Sequence, residues 1–320
     1  MKLIKLKSIS PYFNLAAEEY FLKKDSEDKL MLWQNDNTIV IGRNQSTFTE
    51  INLERAEELN VNIVRRMSGG GAVYHDMGNL NYTYITKNDG DDFLNFAKFT
   101  QPVIDVLQSL GVNATLSGRN DLLIDGLKFS GNAQYVHKDM LLHHGTLMFS
   151  TSVNILSEVL NVNELKIQSK GIASVKSRVT NIGEHSDVTI DEFCDLLFKS
   201  ANGTFYELSH EDILEIEKLK KEKYDTWEWN FGYSPKHSFT LEKLFPCGII
   251  SVSLDAAEGK ISDIKFSGDF FGKREISEIE NALIGIRHNY EDILSALKNF
   301  PIGDYFAGSS YEEIADLIKP

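Results

Sequence analysis

Residues 65–71 read Arg-Arg-Met-Ser-Gly-Gly-Gly, and these residue types suit the binding of an anion. Glycine has no Cβ, so Gly69, Gly70 and Gly71 can take positive φ and bring backbone N–H groups close to a ligand. Arg65 and Arg66 set guanidinium groups beside that bare backbone, and guanidinium pairs bidentately with carboxylate or phosphate. A plain turn between strands has no need of this composition. The stretch is expected to hold a small anion, or an acyl chain that ends in one. Lys128 is the second candidate. It follows Asp125-Gly126, a strong hairpin signal, and precedes Phe129-Ser130-Gly131-Asn132-Ala133, whose small residues leave room for a ligand. A lysine held there stabilises charge that builds during displacement at phosphorus or carbonyl carbon.

Three further features lie near these two. His143-His144 sits inside a strand-like run, where neighbours face opposite ways, so a single histidine of the pair shares a face with Lys128. That histidine bonds a substrate, orients the pocket or is a satisfied core residue. A two-histidine metal site does not fit. Asp121, after Gly118-Arg119-Asn120, either holds Mg²⁺, orients Lys128 or is a simple turn residue. Segment 166–178 holds four basic residues and no acid, and includes Lys170 and Gly171. It reads as a loop able to fold over an anionic intermediate, or as a solvated surface loop. The chain has no Gly-x-x-x-x-Gly-Lys-Ser/Thr, no Gly-x-Gly-x-x-Gly opening a helix after a strand, and no Gly-x-Ser-x-Gly elbow.

The elements that must position these residues alternate along the first half of the chain. Ser10-Pro11 opens a helix, since proline after a serine cap is a start signal. Strands are expected at 30–33, 38–42, 61–65, 72–75, 121–124, 128–136 and 140–149, with helices at 53–59, 96–110, 153–160, 189–203 and 210–222. Aromatic Trp227-Glu228-Trp229-Asn230-Phe231-Gly232 precedes Ser234-Pro235, where a domain boundary is expected. Strands at 239–244, 248–255 and 260–267 and helices near 275–286, 290–299 and 310–318 then form a small unit. This reads as an α+β or mixed α/β chain: a large domain, 1–236, with a mixed β-sheet flanked by helices, plus a small α/β C-terminal domain, 237–320.

Composition narrows the partners. With 33 basic against 47 acidic residues the net charge is −14, which argues against nucleic acid and demands a local basic pocket for any anionic substrate. No apolar run approaches membrane-spanning length, and Met1–Lys7 alternates charge with apolar residues like a strand rather than a leader. A cytoplasmic protein that engages no membrane is expected. The two cysteines, Cys194 and Cys247, give neither a disulfide framework nor metal-ligand spacing, and Cys194 falls on an amphipathic helix pattern as a buried residue.

Taken in order, these motifs resemble the lipoate–protein ligase A family. The matching stretches are Pro11–Ala16 with Glu18-Glu19, Leu32–Asn35 to Ile41–Arg43, residues 65–83, Gly118–Asp121, Lys128–Gly131, His143–Thr146, Lys170–Ile172 to Asn181, and Trp227–Gly232. They span nearly the whole chain. The resemblance implies the fold of biotin and lipoate ligases. It also implies ATP as co-substrate with Mg²⁺, lipoate or octanoate as the acid, and a lipoyl-adenylate intermediate. The acyl acceptors it implies are apo lipoyl domains of 2-oxoacid dehydrogenase acyltransferase subunits and the glycine-cleavage H protein. By position, Arg66 and Gly71-Ala72-Val73-Tyr74 would contact the nucleotide, and Lys128 both adenylate and acyl carbonyl. Ser68, Gly69 and Gly70 would shape the acyl tunnel with Trp33 and His144, and Lys170-Gly171 would lie in the adenylate-binding loop. Two relatives in fold fit less well. An acyltransferase working without ATP needs a cysteine nucleophile, and residues 1–193 hold none. A biotin ligase carries a glycine loop richer in arginine.

Overall fold

The computed structural model describes residues 1–160, 179–232 and 239–319 apart from Asp91, Arg119 and Glu258; the segment 166–178, with Lys170 and Gly171, lies outside the described residues. The strands are β1 Lys2–Lys5, β2 Lys29–Trp33, β3 Thr38–Ile41, β4 Asn62–Arg65, β5 Val73–His75, β6 Asn79–Lys87, β7 Ala114–Ser117, β8 Asp121–Ile124, β9 Leu127–His137, β10 Met140–Met148, β11 Thr204–Phe205, β12 Phe239–Phe245, β13 Gly248–Ala257 and β14 Lys260–Gly268. Eight of them form one mixed sheet in the order β11-β1-β2-β6-β10-β9-β8-β7. Its β1 pairs are parallel and the rest antiparallel. A small sheet, β4-β3-β5, stands beside it and carries the glycine loop between β4 and β5.

Alternation sorts the large sheet into two faces. Leu30, Leu32, Leu80, Tyr82, Tyr84, Leu141 and Leu147 face one core, which the helices Phe96–Ser109 and Ile190–Ala201 cover. Helix Phe96–Ser109 is amphipathic, with Phe96, Phe99, Val103 and Leu107 buried. Met31, Trp33, Ile85, Met140 and Leu142 face the other side, under helix Pro11–Lys24. That helix starts at the proline as expected, yet it buries polar Asn14, Glu18 and Glu19 along with its leucines. Buried carboxyl groups need partners, and both find them. Glu19 meets Lys223 Nζ and Tyr224 Oη at 2.6 Å each. Although burial opposes ionisation, Lys223, Lys23 and Tyr224 hold its carboxyl down at about 2.

The C-terminal unit is an antiparallel sheet, β12-β13-β14, with helices Ser277–Leu283, Tyr290–Leu297 and Tyr311–Ile318 packed into one core with it. It touches the rest of the chain at the glycine loop, where Gly69 lies against Phe270 O, and at the segment that follows β3. Gly268 N–H donates to Asn44 O at 2.7 Å, and Arg43 pairs with Glu275. Among the described residues no helix is long and apolar enough to cross a membrane.

Candidate active site

One cavity of about 310 Å³ opens on the face of the large sheet opposite the Phe96–Ser109 helix. Lys128, Asp121 and Thr146 stand at one side of it, and Trp33, Val40 and Leu15 at the other, with Gly70, Gly71, Ala72 and Val73 as a wall. Its charged side thus suits a carboxylate or phosphate, and its apolar side a hydrocarbon tail.

Lys128 reaches the cavity through an irregularity in β9. Leu122 of β8 pairs with Ser130, but Leu123 pairs with Lys128, so Phe129 is an extra residue in β9. Without that bulge Lys128 and Gly131, three apart, would face opposite sides; with it both line the cavity while Phe129 enters the core. Lys128 lies over Gly131, where a Cβ would stand 3.2 Å from Nζ. Its Nζ pairs with Asp121 Oδ1 at 2.7 Å, both side chains about one-third exposed. Thr180 N–H donates to Lys128 O at 2.9 Å, so residues 179–180 run alongside the lysine's backbone.

The glycine loop is closed by Arg66. Its Nη2 donates to Gly69 O at 2.7 Å and Gly71 O at 2.9 Å, its Nη1 to Val40 O at 3.1 Å, and its Nε to Ser68 Oγ at 3.0 Å. Burial, offset by Glu18, lowers its pKa to about 10, so it stays cationic at neutral pH on the cavity wall. Arg65 behaves differently, and the expectation of a paired arginine cluster is corrected here. Its guanidinium is buried away from the cavity, donating to Gly42 O, Arg43 O, Gln45 O, Thr47 Oγ1, Trp229 O and Asn230 O. Adjacent strand residues point to opposite sides, and Arg65 takes the side that meets the short helix Trp227–Asn230. Trp229 and Asn230 therefore brace the loop's leading strand.

Of the three glycines, Gly70 alone has positive φ, at 90°. A Cβ on Gly69 would stand 2.4 Å from Phe270 O, so the C-terminal unit packs directly on the loop. That unit also sends Asp269 and Phe271 to the cavity wall. Neither carries a local sequence signal. Ser68 and Gly69 shape the loop from behind and are not on the cavity wall. Tyr74 turns away altogether: it packs beside Ile39 and Ile41, and its hydroxyl donates to Asn37 Oδ1 at 3.0 Å. Its neighbours Val73 and His75 face the cavity instead.

His144 lines the cavity, and His143 faces the opposite core, stacked on Phe99 with centroids 4.9 Å apart. Both ring nitrogens of His144 are engaged. Nδ1 lies 3.0 Å from Glu18 Oε1 and Nε2 2.6 Å from Ser68 Oγ. Thr83 Oγ1 donates to the same Glu18 oxygen at 2.5 Å, and Trp33 Nε1 donates to Thr83 Oγ1 at 2.9 Å. A continuous buried chain of hydrogen bonds therefore runs from Trp33 through Thr83, Glu18, His144 and Ser68 to Arg66. The Ser-His-Glu arrangement has the spacing of a hydrolase triad. Ser68, however, is 1 % exposed and absent from the cavity wall. The chain ties the Trp33 side of the cavity to the glycine loop.

Neither cysteine touches the cavity. Cys194 is fully buried, and burial pushes its thiol up to about 11. Among the described residues no group of three His, Cys, Asp or Glu side chains is placed to hold a metal ion.

Such a cavity, with a glycine loop and a lysine on a bulged strand, suits a carboxylic acid with an apolar tail. The family described as "Lipoyl protein ligase A/B catalytic domain" matches residues 10–202, and "Bacterial lipoate protein ligase C-terminus" matches residues 234–318. The chain belongs to the lipoate–protein ligase family. It is 46% identical to lipoate-protein ligase LplJ of Bacillus subtilis (strain 168), over 96% of each chain. It is 43% identical to lipoate–protein ligase 1 of Staphylococcus aureus, over 100% of each. Among solved structures, P. falciparum LipL1 in complex with lipoate superposes with a TM-score of 0.83 at 25% identity, covering 98% of both chains. A lipoate-protein ligase A bound with ATP superposes at 0.64 and 26% identity, over 72% of this chain and 98% of that one. A bi-partite lipoate protein ligase from Thermoplasma acidophilum, studied with its E2 lipoyl domain, gives 0.66 and 28%, over 74% and 98%.

Proposed function

We propose that this lipoate–protein ligase works in two steps, in the cytoplasm, through lipoyl-adenylate. The lipoate carboxylate attacks the α-phosphorus of ATP and pyrophosphate leaves. The ε-amine of a carrier lysine then attacks the acyl carbon, AMP leaves with the bonding pair, and the amine gives up a proton. The observation that carries this reading is Lys128 on its bulge, facing the same cavity as Gly70 and Gly71. From there its ammonium stabilises charge on the carboxylate, the α-phosphate and the departing AMP. Arg66, Gly71, Ala72 and Val73 border the nucleotide, and Trp33 and His144 border the acyl tail. Lys170 and Gly171 join the nucleotide side on sequence grounds alone.

The donor set fits Mg²⁺ only as an ion shared with phosphate oxygens. The cavity wall carries two carboxylates, each with one oxygen engaged: Asp121 Oδ1 pairs with Lys128 Nζ at 2.7 Å, and Asp269 Oδ1 accepts from Ile249 N–H at 2.6 Å. Asp121 would hold the ion, which when bound neutralises charge on the phosphates. Octanoate is the alternative acid. The carriers are lipoyl domains of 2-oxoacid dehydrogenase acyltransferase subunits and the H protein of glycine cleavage. The boundary at 236/237, which falls outside the described residues, would separate the catalytic part from an accessory domain that lends Asp269 and Phe271 to the wall. The test is lipoate-dependent exchange of pyrophosphate into ATP. Exchange that requires lipoate supports an adenylate; its absence in a preparation that lipoylates carriers would refute the two-step route.

A further inference from the structure

We propose that His75 makes the cavity prefer lipoate to a plain eight-carbon acid by donating Nε2–H to a dithiolane sulfur, an inference that rests on the reading of this cavity as the lipoate site. His75 lies on β5, is 3 % exposed, and lines the cavity edge-on to Trp33, with ring centroids 6.1 Å apart.

Its tautomer is set by two side-chain amides. Asn35 Nδ2 lies 3.1 Å and Asn81 Nδ2 3.5 Å from His75 Nδ1. Each amide oxygen is committed elsewhere: Asn35 Oδ1 accepts from Asn14 Nδ2, and Asn81 Oδ1 from Asn79 Nδ2, each at 3.0 Å. The amide nitrogens therefore face the ring and make Nδ1 an acceptor, which puts the proton on Nε2. Burial, with Arg66 and His144 nearby, lowers the pKa of His75 to about 3, so the ring is neutral at physiological pH. Nε2 is buried and has no hydrogen-bond partner within the protein. A buried donor left unpaired is costly, and a ligand acceptor relieves the cost.

The sheet register says which end of the ligand arrives there. Trp33 pairs with Asn81, and Asn81 with Thr146, on three successive strands; Gly131 N–H reaches Thr146 Oγ1 at 3.2 Å from the next. With strands about 4.8 Å apart, Trp33 stands roughly 14 Å across the sheet from the strand of Lys128, and His75 lies on the Trp33 side, against Trp33 and Asn81. An acid with its carboxylate at Lys128 thus directs its far end at His75. The far end of octanoate has no acceptor, whereas a sulfur is a weak one. A site with a buried donor discriminates against the analogue that cannot engage it.

The experiment compares kcat/KM for lipoate and octanoate, read by pyrophosphate exchange, in the wild type, His75→Phe and His75→Gln. The wild type is also given octanoates with sulfur in place of carbon 6 or carbon 7. The wild type should favour lipoate, and His75→Phe should lose about tenfold more on lipoate than on octanoate, as for one net hydrogen bond. His75→Gln keeps an N–H donor and should recover part of the difference. At least one sulfur-containing octanoate should outperform octanoate on the wild type, a result that needs no variant to fold. Equal losses on both acids in His75→Phe, or thia-octanoates indistinguishable from octanoate, would overturn the role of His75 and leave the ligase reading standing. A wild type that activates neither acid would overturn the ligase reading itself.

Discussion

Alanine at each glycine of the loop should give three different results. Gly70 has φ of 90°, and a Cβ there would stand 3.0 Å from Arg66 Nη2 and 3.2 Å from Phe271 Cζ. A side chain in left-handed backbone costs about 1–2 kcal/mol, and the crowding of Arg66 adds to it. A total of about 2 kcal/mol lowers Tm by roughly 5 °C in a chain of this size. At Gly69 the obstacle is Phe270 O, 2.4 Å from the added Cβ. The strain there falls on the contact with the C-terminal unit. In the Gly69→Ala background, Glu275→Ala should cost less than it does alone, because the ion pair with Arg43 is already parted. At Gly71 nothing lies within 4 Å, and φ is not in the left-handed region. Gly71→Ala should melt at or slightly above the wild-type temperature, since it only restricts the unfolded chain. Its methyl stands in the cavity, so KM should rise several-fold. The assays are thermal unfolding and pyrophosphate exchange on the same preparations. A Gly71→Ala protein that melts as early as Gly70→Ala, or a Gly70→Ala protein that melts with the wild type, would refute the assignment of roles within the loop.

Lys128→Ala should lower adenylation by 10²–10³, while unfolding shifts by less than about 1 kcal/mol because its ion pair with Asp121 is solvent-accessible; a variant with normal pyrophosphate exchange would contradict the role of this lysine. Cys194→Ser should leave activity near that of the wild type, although a buried hydroxyl lowers stability by about 1–2 kcal/mol; a collapse of turnover with the fold intact would point to thiol chemistry. Acidification from pH 6.5 to 5 should destabilise the protein. His75 and His143 are held neutral by burial, His75 down to about 3 and His143 well below its usual value. The unfolded chain therefore binds protons that the native state does not. Each such histidine gives a slope that rises from about 0.7 kcal/mol per pH unit at pH 6.5 toward about 1.4 near pH 5, read from denaturant midpoints, and a flat profile would be the contrary result.

Much of the site is legible in the chain because glycine, arginine and lysine act locally. The loop at 65–71 and the lysine after Asp125-Gly126 both end in the same cavity. What escapes is geometry that residue types do not carry. Lys128 shares a face with Gly131 only because Phe129 is one residue too many for its partner strand. The alternation that separates His143 from His144 also separates Arg65 from Arg66 and Tyr74 from Val73 and His75, so that signal was present in the sequence. Strand β6 is hidden because its cavity face is polar, with Asn79, Asn81 and Thr83 where an apolar run would mark a strand. Glu18 and His144 meet across 126 positions, and Asp269 and Phe271 arrive from beyond the third strand of a separate sheet. Only the packing of elements brings those together.

The central claim is ATP-driven transfer of lipoate to a carrier lysine. Its most direct test is mass spectrometry of an unmodified lipoyl domain incubated with this protein and lipoate, with and without ATP and Mg²⁺. The account predicts the mass of one lipoyl group, on one lysine, only when ATP is present. Lipoylation without ATP, or none under any condition while the same preparation moves an acyl group from a loaded carrier, would contradict it.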